Sequence, residues 1–260
     1  MTGPGPRCAS DAGRRGADAE AFVPLVFAAA LVAGAIAAVA GFGIGSLLTP
    51  VFATRYDVQL AVAAVSLPHV IGTFVRFVML RGHIDRAVLV RFGIPSAIGG
   101  LTGAALQSFA TSGLLALVFG LLLIFAGVGG ITGFSARLRF GPRVAWLGGL
   151  ASGLLGGLVG NQGGIRSAAL LGFAVEREAF VATATAVALV VDGARIPVYL
   201  LTQGAALAPL APLLATAAVG ASAGTIAGGV VLRRIPERVF RQVVGLLLLA
   251  LGTYTLVRLV

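Results

Sequence analysis

A line of polar side chains follows one face of an otherwise apolar segment, residues 58–80. Ser66, His69, Thr73 and Arg76 are three or four positions apart, as are side chains on one face of an α-helix. Hydroxyl and guanidinium groups can donate hydrogen bonds to an anion, and a histidine, with an unperturbed pKa of about 6.5, can carry a proton. The stripe therefore predicts a binding site for something negative, with a titratable group beside it.

A second polar stripe repeats the first 119 positions later (76 to 195). Thr185 matches Ser66, Asp192 matches Thr73 and Arg195 matches Arg76, whereas Ala188 stands where His69 would be. An ionisable residue inside an apolar span is costly and usually faces the protein interior or a water path. We therefore expect the stripes to meet, with Arg76 and Arg195 supplying positive charge and Ser66, Thr73 and Thr185 contacting the substrate.

Each stripe also has a simpler interpretation. Arg76 lies four residues before Leu80 and could extend to the membrane surface. Asp192 and Arg195, three residues apart, could neutralise each other. His69 could be a hydrogen-bonded structural residue; otherwise His69 and Asp192 are the predicted proton-coupling groups.

Glycine-rich sequences interrupt two long apolar segments at matching positions. They are Gly41, Gly43 and Gly45 in the first copy and Gly160, Asn161, Gln162, Gly163 and Gly164 in the second. Glycine costs a helix about 1 kcal/mol relative to alanine, so this density predicts a break. Backbone N–H groups freed by a break favour an anion, and we expect both breaks to contact the substrate. Arg166 adds charge there, unless it pairs with Glu176 or Glu178.

The composition indicates an integral membrane protein. The chain is 58% hydrophobic and only 11% charged, with a mean hydropathy of +1.02, and several apolar stretches reach the roughly 20 residues that cross a bilayer. Strong helix-length runs favour a helical bundle over a barrel. The net charge of +10 comes from arginines between these runs, which indicates membrane topology and not a nucleic-acid partner.

The predicted fold is all-α, polytopic and built from two inverted repeats. Residues 1–21 form a disordered polar tail, residues 22–134 the first transmembrane repeat and residues 144–258 the second. If both glycine-broken spans re-enter on one side, the loops place eleven arginines on that side and five on the other; full crossing gives ten and six. The positive-inside rule therefore favours a re-entrant first span plus three transmembrane helices in each repeat.

The order of these features resembles the sulfite exporter TauE/SafE family of membrane transporters. The shared pattern is a glycine-rich break, a polar-striped helix, an arginine-rich loop and a glycine-rich third helix (Gly99-Gly100-Leu101-Thr102-Gly103), all repeated. The resemblance covers about residues 22–258. It implies transport of small sulfur-containing or organic anions, such as sulfite or sulfonates, coupled to an ion gradient. The second break is more polar than the glycine runs typical of the family.

Together these features predict a secondary active transporter of a small anion in the cytoplasmic membrane, coupled to protons or sodium. A passive anion channel would use the same residues and stays the alternative. The chain lacks a nucleophile–base pair, a metal-ligand cluster and a phosphate loop, so we expect neither an enzyme nor a bound cofactor. The expected partners are the substrate, the coupling ion and lipid, with homo-oligomerisation left open.

Overall fold

The computed structural model describes residues 6–133, 144–161, 163, 166, 170, 176–231 and 236–259, with side chains from residue 21 onwards. These residues form helices and no strand. The helices are α1 (Pro6–Ala40), α2 (Ile44–Ala53), α3 (Val58–Leu80), α4 (Arg86–Gln107), α5 (Ser112–Thr132), α6 (Ala145–Val159), α7 (Arg177–Leu207), α8 (Ala211–Val231) and α9 (Glu237–Val257). The predicted all-α fold is thereby confirmed.

Many large apolar side chains lie on the surface of the described structure, and several charged ones lie in its interior. Large apolar residues such as Leu121 and Ile94 point outward, while Arg166, Asp192 and Arg195 are buried. Five stretches of described helix are long and apolar enough to cross a membrane: Ala21–Ala40, Val58–His83, Arg86–Gln107, Ser112–Thr132 and Glu178–Val230, the last spanning α7 and α8. The chain is therefore a polytopic membrane protein whose outer surface suits lipid.

Polar residues fix where several helices begin. Asp57 accepts a hydrogen bond from the Leu60 backbone nitrogen at 2.9 Å, and Asp85 accepts one from the Val88 nitrogen at 3.0 Å. Each carboxylate satisfies a backbone donor that has no partner within its helix. The spans α3 and α4 therefore have defined first residues, which sets the register of the groups further along them.

Both glycine-rich spans break where the sequence predicts. Helix α1 ends at Ala40, and Gly41 and Gly43 take φ values of +76° and +143° that favour glycine. The chain then turns back along α2, because the Phe52 ring lies 6.2 Å from that of Phe22 near the start of the apolar span. In the second copy α6 ends at Gly160, with φ +72°. The first break therefore closes a hairpin, which supports the re-entrant model.

The same helix contacts occur twice, once for each half. Helix α1 packs on α8, and its counterpart α6 packs on α4. A Cβ on Gly224 would lie 1.9 Å from the Leu31 carbonyl oxygen, and one on Gly99 would lie 2.2 Å from the Leu150 oxygen. Leu31 and Leu150 are 119 positions apart, whereas Gly99 and Gly224 are 125 apart. The second half therefore contains six extra residues, at the end of α7 and the turn after it.

Helices α5 and α9, the last of each half, run antiparallel against each other. A Cβ on Gly120 would lie 3.3 Å from the Gly252 oxygen, and one on Gly127 would lie 2.7 Å from the Gly245 oxygen. When two equivalent helices pair in opposite directions, the two-fold axis that relates them is perpendicular to both. Such an axis would lie in the membrane plane, which supports inverted repeats; the inversion itself stays a prediction.

Helix α1 begins before the apolar span does. The structure continues it outward to Pro6, through the segment that the sequence assigned to a disordered tail. Alanine and arginine, which have high helix propensity, are frequent there. The hydrophobic part still begins at Ala21, beside the expected boundary, and the boundaries of the tail and the two repeats stay predictions.

The glycine contacts yield a stability prediction. A Cβ on Gly153 in α6 would lie 1.9 Å from the Ser96 carbonyl oxygen in α4, whereas one on Gly193 in α7 would meet nothing within 4 Å. We expect Gly153→Ala to destabilise the protein by about 1–3 kcal/mol through overpacking. Gly193→Ala should be neutral or stabilising, because alanine favours a helix. Thermal unfolding in detergent compares the two, and equal melting temperatures would contradict the packing.

Candidate anion site at the meeting of the two helix breaks

The two polar stripes face each other across the antiparallel helices α3 and α7. His69 Nδ1 lies 2.7 Å from Asp192 Oδ2, and Arg76 Nε donates a 2.8 Å hydrogen bond to Thr185 Oγ1. The lower-numbered residue of α3 thus meets the higher-numbered residue of α7. The juxtaposition that the sequence predicted is present, and it joins residues from both repeats.

Asp192 is the centre of a closed ionic cluster. Its Oδ1 accepts hydrogen bonds from Arg195 Nε at 2.9 Å and Nη2 at 2.8 Å, while its Oδ2 faces His69. Arg195 Nη1 donates to the Gly156 carbonyl at 2.5 Å. All three side chains are buried. The intrahelical neutralisation of Arg195 by Asp192 is therefore present, and the charge of Arg195 is largely balanced inside the protein.

Arg76 is held by the broken end of α1. Its Nη1 donates to the Ala37 carbonyl and its Nη2 to the Gly41 carbonyl at 3.4 Å. Ala37 matches Gly156 at the repeat spacing of 119, so each repeat ties its arginine to the corresponding helix end. Arg76 is only 3% exposed. It therefore does not extend to the membrane surface, which was the alternative for this residue.

Arg166 is buried, and no carboxylate of the described residues lies within ion-pair distance of it. It is 1% exposed, and its Nη2 donates a hydrogen bond to the Gly41 carbonyl at 3.5 Å. Its Nε and Nη1 have no partner among the residues that the structure describes. Glu178 is exposed and lies 3.4 Å from His83 instead. Within the described residues, the alternative pairing of Arg166 with a glutamate is therefore absent.

The two helix breaks touch beside these arginines. A Cβ on Gly45 would lie 2.6 Å from the Gly160 oxygen, so the backbones approach as closely as only glycine allows. Ser46 Oγ donates to Asn161 Oδ1 at 3.1 Å, which leaves Asn161 Nδ2 buried and without a partner in the described structure. Backbone that is not part of a regular helix is tolerated within the membrane where protein buries it or where it lines a water-filled cavity.

The phenyl ring of Phe42 lies against the second break, where a Cβ on Gly163 would be 2.5 Å from it. Gln162 and Gly164, predicted to donate hydrogen bonds, lie outside the described residues.

Ser66 is buried and donates to the Ala63 carbonyl at 2.6 Å, while Thr73 Oγ1 is buried without a partner in this part of the chain. Thr73 is therefore the hydroxyl of the first stripe that is available to a ligand.

The sequence did not single out Tyr199, Thr49 or Ser46. Tyr199 follows Arg195 by one helical turn and donates to the Gly157 carbonyl, with the Arg195 guanidinium 6.0 Å from its ring centre. Thr49 Oγ1 is buried and unpartnered in the described region. The spacing of four from Arg195 was a usable signal for Tyr199. Thr49 and Ser46 had none, because their positions depend on the fold of the hairpin.

The unpartnered nitrogen atoms of the site are all hydrogen-bond donors. Arg166 Nε, Arg166 Nη1 and Asn161 Nδ2 are buried donors without acceptors among the described residues. A donor that is buried and unpaired costs free energy, about 1–3 kcal/mol and more for a charged group. An oxyanion supplies the acceptors and the negative charge that these groups lack, so the arrangement suits an anion and does not suit a cation.

Apolar helices that enclose charged groups and are broken at their centre are the architecture of membrane transport proteins. The family model described as sulfite exporter TauE/SafE matches residues 26–255, nearly the whole chain, and the chain belongs to this family of membrane transporters. The resemblance noted in the sequence is thereby confirmed. No curated protein and no solved structure matched the chain.

Because Arg195 and Arg166 have different surroundings, we expect replacement by methionine to change the stability of the protein differently at the two positions. Arg195→Met leaves the buried Asp192 without its guanidinium partner, and breaking such a pair costs about 3–5 kcal/mol. Arg166→Met removes a buried charge that has no ion-pair partner among the described residues, so the stability of this variant should be unchanged or higher. Thermal unfolding in detergent with a bulky, weakly coordinating buffer anion measures both variants. A large loss of stability in Arg166→Met would show that Arg166 has a structural partner.

Proposed function

We propose that the protein is a secondary active transporter of a small anion, such as sulfite, a sulfonate or a related organic anion, in the cytoplasmic membrane. The observation that carries this proposal is Arg166, a buried guanidinium at the junction of the helix breaks whose Nε and Nη1 have no hydrogen-bond acceptor among the described residues. An ionisable residue inside a membrane protein is costly to keep and commonly marks a substrate or ion pathway.

The bound anion would lie between the second helix break and the unpartnered face of Arg166. Its oxygen atoms would accept hydrogen bonds from Arg166 Nε and Nη1, from Asn161 Nδ2 and from Thr73 Oγ1. Arg76, which shares the Gly41 carbonyl with Arg166, would add charge from the side of the first repeat. Hydrogen bonds between charged groups are about twice as strong as neutral ones, and burial strengthens them further.

Alternating access would come from rocking of one group of packed helices against another around this site. The two breaks supply the backbone freedom, because Gly41, Gly43 and Gly160 already hold conformations that other residues rarely adopt. The close contacts between α1 and α8 and between α4 and α6 would let each broken span move with a helix of the opposite repeat. The unit that moves would therefore contain helices from both halves.

Proton coupling is assigned to the cluster of His69, Asp192 and Arg195. Asp192 contacts both other side chains, so a proton gained by the His69 imidazole changes how strongly the carboxylate holds Arg195. Arg195 in turn holds the end of α6 through the Gly156 carbonyl. Protonation at His69 would thus be felt at the second break, where the anion binds.

Uptake into proteoliposomes tests the transport function. Labelled sulfite, sulfate and a small sulfonate are offered with and without a pH gradient to wild type, Arg166→Gln and Arg91→Gln. We expect accumulation against the concentration gradient in wild type, a loss of at least about tenfold in Arg166→Gln, and no change in Arg91→Gln, since Arg91 is exposed at the start of α4. Flux without accumulation would establish the passive channel instead.

The coupling role has its own pair of variants. His69→Gln keeps a polar side chain beside Asp192 but cannot take up a proton, whereas His83→Gln makes the same change at an exposed histidine near Glu178. We expect His69→Gln to retain exchange of anion for anion and to lose accumulation driven by a pH gradient of either sign. His83→Gln should retain both. Gradient-driven accumulation by His69→Gln would remove His69 from the coupling mechanism.

A further inference from the structure

The balance of charge in the buried site carries an inference about the substrate, which rests on the transport function proposed above. Three guanidinium groups are buried there: Arg76, Arg166 and Arg195. Arginine is not deprotonated in proteins, so each contributes a full positive charge. Asp192 is the buried carboxylate near them, and its Oδ1 contacts two nitrogens of Arg195.

The other described carboxylates near these helices either accept hydrogen bonds at helix starts or are exposed. Asp57 and Asp85 accept hydrogen bonds at the first turns of α3 and α4. Glu176 and Glu178 are exposed at the start of α7. Within the described residues, no carboxylate forms an ion pair with Arg76 or Arg166. With His69 neutral, the three guanidinium groups and Asp192 therefore leave the site with two excess positive charges, and a proton on His69 adds a third.

The two excess charges lie together. Arg76 Nη2 and Arg166 Nη2 point to the same Gly41 carbonyl oxygen, at 3.4 Å and 3.5 Å. The two nitrogens are therefore no more than about 7 Å apart, and like charges at that range repel each other strongly in a poorly polarisable interior. One backbone carbonyl cannot neutralise them. A ligand that lies against both would remove the repulsion as well as the cost of burying each charge.

We propose that the site selects anions that carry two negative charges. A divalent anion neutralises Arg76 and Arg166 together, whereas a monovalent anion of the same shape leaves one guanidinium charge uncompensated in the membrane interior. Asn161 Nδ2 and the remaining N–H groups of Arg166 hold the oxygen atoms. The preference is one of charge and does not depend on a particular sulfur compound.

This excess charge arises where the second repeat departs from the first. Arg166 stands at the position of Leu47, and Asn161 at the position of Phe42. Asp192, at the position of Thr73, cancels the charge of Arg195. A symmetric site would hold one arginine from each repeat. In this chain Arg195 is instead paired with Asp192, and Arg166 lies beside Arg76 at the Gly41 carbonyl.

Two pairs of anions matched in shape test the preference: sulfate with methanesulfonate, and sulfoacetate with sulfoacetamide. The first member of each pair is divalent and the second monovalent. The rise in unfolding temperature in detergent gives the half-saturating concentration of each anion without requiring transport. In wild type we expect a concentration at least about tenfold lower for the divalent member. Arg91→Gln should keep that ratio.

Variants at Arg166 separate charge from shape. Arg166→Gln should bring the ratio within each pair close to one, and Arg166→Lys, which retains the charge, should keep most of it. Equal half-saturating concentrations for the two members in wild type would overturn the divalent preference and leave an anion transporter standing. If neither pair stabilised or was taken up by the protein, the proposed function would fail, and the charge preference with it.

Discussion

A charge inside a lipid bilayer must find a partner, and this constraint organises the centre of the protein. Arg195 finds Asp192, and Arg76 finds the carbonyl groups that the broken end of α1 exposes. The helix break supplies carbonyl acceptors for Arg76, and Arg76 supplies the donors that these carbonyl groups would otherwise lack. Arg166, with two nitrogens unpartnered among the described residues, is the departure from this rule, and the proposed anion site is centred on it.

The surrounding helices are held together by close approach. Lipid tails are as apolar as leucine side chains, so little is gained by transferring leucine from lipid to a helix interface. At Gly153 and Gly224 the neighbouring backbone is so close that a methyl group would overlap a carbonyl oxygen. Dispersion contacts between such backbones take the place that the hydrophobic effect has in soluble proteins.

Much of this arrangement follows from the sequence. Apolar runs predict the spans, glycine density predicts the breaks at Gly41 and Gly160, and spacing along α3 predicts that His69 and Arg76 share a face. The partners across the repeats do not follow, because they depend on the crossing of α3 and α7. Neither the contact of His69 with Asp192 nor the unpaired state of Arg166 could be deduced from spacing. The six extra residues at the end of α7 and in the turn after it were also missed, since the compared stripes end before them.

The glycine contacts also determine how such a chain can change over evolutionary time. Every single-residue replacement of Gly153 adds a carbon atom where the Ser96 carbonyl already lies, so that position can vary only if a helix moves. An outward residue such as Leu121 can exchange with any apolar residue of similar length at little cost, because lipid adapts to its shape. Descendants of one ancestor are therefore expected to lose most identities on their outer surface while retaining their glycines. Relatedness among such proteins is then recognised from the spacing of their glycines.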